Sequence, residues 1–230
     1  MAQPGARSFM IRLYHQPLCP FSRKIRLVLR EKNLAAELVE VEPWQREPEF
    51  LRLNPAAEVP VLVDGDLVVA DSAAIVDYLH EAYGAPNLLG ESQVQRNETR
   101  RLVGWFDVKF RREVTDLLWG EKLLKRLKRT GTPSSEALRA GAANIRGHLA
   151  YIGYLYEDRR WLAGDTLSLA DLAAASHLSV LDYLGDVPWE ASAGARDWYA
   201  KVKSRPSFRP LLMDRITGIK PPVHYDDLDF

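Results

Sequence analysis

The chain of 230 residues holds one cysteine, Cys19, in a Pro17-Leu18-Cys19-Pro20-Phe21-Ser22 turn just ahead of a helical pattern. A thiol at a helix N-terminus feels the dipole and nearby amides, and both favour the thiolate. Arg23 and Lys24 follow closely and could add to that effect. Such a thiol could act as a nucleophile towards a disulfide. The alternative is a buried, inert cysteine packed in a turn. A second polar pair, Asp71-Ser72, precedes Ala74, Ile75, Tyr78 and Leu79, which recur at helical spacing. Either residue could cap that helix with a side-chain oxygen, so the pair is a cap, a ligand contact or both. His177 has no other His, Cys or acid at ligand spacing, so no metal site is expected and it reads as a hydrogen-bonded core residue.

These groups need elements to position them. Phe9 to Tyr14 reads as a strand, and Pro20 suits the first turn of the helix that follows, where its missing N–H costs nothing. Phe21, Ile25, Val28 and Leu29 form the buried stripe of that helix, with Arg23, Lys24, Arg26 and Arg30 mostly off it. Residues 37–41 read as a second strand, and residues 43–53 as an irregular piece with a helical turn or two. Two apolar runs, 59–63 and 67–70, flank Asp64-Gly65-Asp66, a strong hairpin signal. Pro60 cannot donate to a ladder and fits the start or edge of its strand. The order β-α-β-α-β-β-α fits one mixed sheet with helices packed on it.

Gly, Pro and Asn mark residues 85–93 as a linker between domains. Beyond it only helical patterns occur: about 94–128 with a break expected at Gly120, then 135–158, then a helix opened by the capping box Ser168-Leu169-Ala170-Asp171. Asp171 is therefore structural. Composition sets outer bounds. Thirty-one basic and thirty-one acidic residues cancel, which gives no case for nucleic-acid binding by the chain as a whole. One cysteine fits a reducing compartment. Residues 1–9 lack the apolar core of a secretory signal, and no run approaches the ~20 apolar residues that span a bilayer. A cytoplasmic protein is expected.

Cys19-Pro20-Phe21-Ser22, Asn54-Pro55 with Val59-Pro60-Val61-Leu62, and Asp71-Ser72 with Ile75 resemble the thioredoxin-like half of a cytosolic glutathione transferase. The resemblance implies an α/β plus all-α fold, with a thioredoxin-like βαβ-α-ββα domain over residues 9–84 and a helical bundle over 94–216. It implies a cis Pro60, a catalytic role for the residue at Cys19, and glutathione contacts at Val59, Pro60, Asp71 and Ser72. Glu58 departs from the pattern: many members carry Lys or Gln there, and an acid would repel the carboxylates of glutathione. Trp44 lies in a polar loop where these folds often pair, and is either a dimer contact or local core.

Two features do not belong to a generic transferase. Residues 109–129 carry eight basic against three acidic residues, interleaved with Leu117, Leu118, Trp119, Leu123, Leu124 and Leu127. That is either a solvated helix face or a partner-binding one. The tail, residues 217–230, has two prolines followed by acids, Tyr225, Leu228 and Phe230. It is built to dock, on its own domain or on a partner. Residues 119–129, 161–189, 203–212 and 224–230 together resemble one branch of the family, whose members are dimers that bind the tubulin-like division polymer FtsZ. That resemblance implies a non-enzymatic regulator at the division site that needs no cofactor. Its partner-binding residues would be Glu121, Lys122, Lys125, Arg126 and Arg139, with Asp226, Asp227, Leu228, Asp229 and Phe230 of the tail. The second reading is a glutathione-dependent transferase or thiol oxidoreductase with Cys19 as nucleophile. A third is a structural subunit that binds some other partner through the basic face.

Overall fold

The computed structural model describes residues 10–228; Phe9, Asp229 and Phe230, named above, lie outside the described residues. Strands β1 (Ile11–His15), β2 (Ala36–Glu40), β3 (Val61–Asp64) and β4 (Leu67–Ala70) form one sheet in the order β2-β1-β3-β4. β1 and β2 are parallel, in register from Ile11 opposite Ala36 to His15 opposite Glu40. Parallel neighbours need a crossover, and helix α1 (Pro20–Glu31) supplies it. β3 and β4 close as a hairpin from Val61 opposite Ala70 to Asp64 opposite Leu67, and Gly65 takes the positive φ of 61° that its turn requires. The Val59–Pro60 peptide is cis, as the family resemblance implies.

Short α2 (Pro48–Leu53) follows a single 3-10 turn at Pro43–Gln45. Asp71 is the N-cap of α3 (Ser72–Tyr83), and its carboxylate accepts the Ala73 and Ala74 N–H groups at 2.7 and 3.3 Å. Residues 84–92 are pinned: Lys32 donates to the Gly84 and Pro86 carbonyls, and Leu88 and Leu89 are buried.

Helix α4 runs through residues 93–128, opened by a capping box of Ser92 and Gln95 and stopped at Arg129 with φ 54°. Two stretches, Trp105–Thr115 and Gly120–Leu124, widen to π-helix. The expected break at Gly120 does not occur: its φ and ψ, −58° and −47°, are helical. Helices α5 (Ser135–Glu157), α6 (Leu169–Tyr183), α7 (Ala193–Lys203) and short α8 (Arg209–Leu212) complete the bundle. Every residue of α6 is buried. Its capping-box acid, Asp171, accepts from the Leu162 and Ser168 N–H groups and from Trp198 Nε1, so it is structural as expected. Among the described residues no helix is long and apolar enough to cross a membrane.

One expectation about α1 fails. Arg23, Lys24 and Arg26, placed mostly off the buried stripe, are buried, while Phe21 is only half-buried. The reason lies outside the N-terminal third. α1 packs against α3 of its own domain and against α6, so the helical domain covers the face that would otherwise be solvated. That domain brings acids to meet the charges: Asp107 pairs with Lys24, and Asp214 pairs with Arg23 at 3.0 Å and Arg26 at 2.8 Å.

Candidate functional site

Two contiguous cavities of about 430 and 480 Å³ lie where the ends of the sheet and of α1 face α4. Phe21, Glu58, Val59 and Arg111 border both. Cys19 and Trp44 line the first; Pro60, Asp71, Ser72 and Asp107 line the second. The fold therefore gathers Cys19, Val59, Pro60, Asp71 and Ser72 along one cleft. Asn54 shapes its edge, accepting from Ala56 N–H and donating to the Glu58 carbonyl at 2.9 Å.

Cys19 is the N-cap residue of α1, but its side chain makes no cap hydrogen bond. The thiol is 7% exposed and donates to the Val59 carbonyl across 3.9 Å. Burial pushes its pKa up; hydrogen bonds from Ser22 and Phe21 and the charge of Arg111 oppose this without prevailing. Arg23 and Lys24, expected to favour the thiolate, are committed to Asp214 and Asp107 instead. Burial and the commitment of both neighbouring cations elsewhere work against a thiolate at Cys19, although the residue lines the cavity. Asp71 is occupied as a cap, and Ser72 is buried on the first turn of α3. His177 Nδ1 bonds Thr115 Oγ1 at 2.9 Å, as a core histidine, and among the described residues no cluster of metal ligands occurs.

Trp44, considered for a dimer contact, is half-buried and forms part of the first cavity's wall. Arg111, which stands 5.3 Å over the Phe21 ring, is a cleft residue that sequence reasoning missed. It belonged to the basic run, and nothing local marks it as facing Cys19.

The second set of residues lies further along α4, in a segment whose Trp119, Leu124 and Lys128 still border the first cavity. Lys122 pairs with Asp186, Lys125 with Glu121 at 2.6 Å, and Arg126 donates to the Gly218 carbonyl at 3.3 Å. Glu121 also accepts the Ser134 N–H at 2.6 Å, which ties α4 to the start of α5. The open positive charge is thus carried by exposed Arg126, Lys128, Arg129 and Arg139, while Lys122 and Lys125 are neutralised locally. Most of the interleaved apolar residues serve the core: Leu118 and Leu123 are buried and Leu127 packs against it, while Trp119 and Leu124 border the first cavity.

The tail docks on its own domain. Tyr225 is fully buried, with its ring edge-on to Tyr183 at 5.2 Å. His224 Nε2 lies 3.0 Å from Asp182, and Lys203 donates to the His224 carbonyl at 2.8 Å. Asp226 pairs with Arg215 at 2.8 Å, Asp227 is exposed, and Leu228 packs partly buried on the core. Arg126 and Arg215 stand at the two ends of the 215–218 turn, so the basic helix and the tail meet at one surface.

The family model of the glutathione S-transferase N-terminal domain matches residues 13–87, and that of the C-terminal domain matches residues 132–206. FtsZ-localized protein A of Caulobacter vibrioides is 50% identical over 222 residues, covering 95% of this chain and 97% of that protein. The chain belongs to the glutathione S-transferase family. Two solved members of similar build are a glutathione S-transferase from Rhodospirillum rubrum, 56% identical with a TM-score of 0.94, and FzlA from C. crescentus, 49% identical with a TM-score of 0.93. Each covers 96% of this chain and is itself fully covered. In this glutathione S-transferase scaffold the cleft keeps the family's outline, but Glu58 puts an acid on both cavities. The tail surface owes its shape to Arg23, Asp214 and Arg215, none of which sequence reasoning assigned to it.

Proposed function

We propose that this chain is a non-enzymatic regulator of bacterial cell division that binds FtsZ polymer at the division site. Its kinship with FtsZ-localized protein A over nearly the whole length of both chains carries this reading. The chemistry of the two surfaces supports it: the cleft thiol is held protonated by burial, while the tail is ordered beside an exposed arginine cluster. Arg126, Arg139 and their basic neighbours steer the protein towards an acidic polymer. Asp226, Asp227 and Leu228, with Asp229 and Phe230, form a short acidic and apolar contact. A homodimer presents two such surfaces on one rigid body, so filaments are linked or bent by avidity. Work in the cytoplasm, without a cofactor, follows from this role.

The test is co-sedimentation with pre-assembled FtsZ filaments, with passage over immobilised glutathione in parallel. Binding to filaments without retention on the column supports the proposal. Retention without co-sedimentation supports the second reading, a glutathione-dependent transferase or thiol oxidoreductase. That reading has one observation in its favour: Cys19, Val59, Pro60, Asp71 and Ser72 line one open cleft.

A further inference from the structure

Among the described residues, Trp198 is the only fully buried side chain larger than that of Arg23. A guanidinium is tolerated in a core when its donors are used. Arg23 Nε donates to the Pro17 carbonyl at 2.8 Å and Nη1 to Ser179 Oγ at 2.9 Å. Nη2 faces the Leu211 carbonyl, Asp214 Oδ2 and the Tyr225 hydroxyl at 3.2, 3.0 and 3.2 Å. The Tyr225 hydroxyl passes its own proton to the Leu211 carbonyl at 3.1 Å, so towards Arg23 it is an acceptor. One side chain of the N-terminal domain thereby holds the Cys19 turn, α6, α8 and the tail. The neighbouring tail residue Val223 is 96% exposed, so the inward turn of Tyr225 is a specific docking and not general burial of the segment.

We propose that the Arg23–Tyr225 pair is a positioning device that presents the end of the tail for partner binding, although neither residue touches the partner. This rests on the FtsZ reading above. A loose acidic tail would have to be ordered on binding, which lowers affinity. Fixed at Tyr225, residues 226–230 start from a held point, with Asp226 already paired to Arg215 and Leu228 packed on the core. Fully extended at about 3.5 Å per residue, they reach about 17 Å, which confines their contact to the face that carries Arg126 and Arg215. Arginine is required because its planar fork serves separated acceptors at once; a lysine is a single point charge.

The test joins hydrogen exchange to co-sedimentation with FtsZ filaments. The Tyr225 and Asp227 amides bond the Pro222 and His224 carbonyls at 3.1 and 3.2 Å and report tail order. Tyr225→Ala is expected to speed their exchange at least about tenfold and to weaken filament binding about tenfold, with α6 exchange unchanged. Tyr225→Phe keeps the ring and loses only the hydroxyl, and is expected to weaken binding about threefold. Arg23→Lys should fall between them; if it does not fold, the two tyrosine variants decide. Faster tail exchange with unchanged filament binding would overturn the presenting role alone. Unchanged tail exchange in Tyr225→Ala would overturn the anchor itself. A wild-type chain that ignores filaments would overturn the FtsZ reading and the presenting role with it, while the exchange data still judge the anchor.

Discussion

At the N-terminus of α1 the Cys19 thiol meets the Val59 carbonyl at 3.9 Å, is touched by hydrogen bonds from Ser22 and Phe21, and borders an open cavity. One turn further on, Arg23 reaches five partners drawn from both domains and the tail. The first side chain has few polar partners, and burial pushes its thiol pKa up. The second is tightly bonded and exists only because the helical domain and the tail close over α1. A site built for thiolate chemistry would commit a cation to the sulfur. The contrast teaches that what this chain specifies most strongly is its C-terminal surface.

That contrast can be broken most forcefully at Asp214. Asp214→Ala leaves Arg23 and Arg26 buried without their carboxylate, at a cost on the order of 3–5 kcal/mol by denaturant unfolding. Cys19→Ser in the cleft should cost about 1 kcal/mol or less. Equal costs would erase the distinction between the two regions.

The next effect is read by pH. His15, at the end of β1, is buried near Arg26, Asp214 and Arg23, and its pKa is lowered to about 4, chiefly by burial and secondly by Arg26. The unfolded chain takes the proton first. The stability due to neutral His15 is therefore full above about pH 6.5 and lost as pH falls towards 4, on the order of 3 kcal/mol in all. His15→Gln should flatten the unfolding profile across that window. An unchanged profile would mean that the charged groups around β1 and α1 do not disfavour the protonated ring.

A smaller effect concerns the thiol. Because burial raises its pKa, Cys19 should react with iodoacetamide at neutral pH at least about tenfold more slowly than free cysteine. Fast alkylation of the folded protein would return the cleft to the list of reactive sites. Smallest of all is Lys125→Ala. Its partner Glu121 is one helical turn away and the lysine is partly exposed, so its loss should leave the denaturant midpoint almost unmoved.

How much of this was legible in the sequence follows from the distance over which each feature is decided. The hairpin at Gly65, the Asp71 cap and the Ser168–Asp171 box are set by neighbours within a few residues, and sequence reading found them. The family motif likewise brought Cys19, Val59, Pro60, Asp71 and Ser72 to one cleft. The burial of Lys24 and Arg23 was not legible, because their acids lie 83 and 191 residues along the chain. Tyr225 was marked as a docking residue by its type, but its partner Arg23 is 202 residues away. The π-helical widening of α4 left no signal that its amphipathic pattern could reveal. The leucines among the basic residues carry the same pattern whether they meet a partner, a cavity or their own core: Leu118, Leu123 and Leu127 meet the core, and Leu124 lines the cleft.

The central claim is that the working surface lies at the tail and not at the cleft. It is tested most directly by comparing two variants in one FtsZ co-sedimentation series: Cys19→Ser, and a chain ending at Tyr225, which keeps the buried anchor and removes only residues 226–230. The account predicts that Cys19→Ser binds filaments as the wild type does and that the shortened chain loses at least about tenfold in affinity. A shortened chain that binds normally beside a Cys19→Ser variant that does not would contradict it.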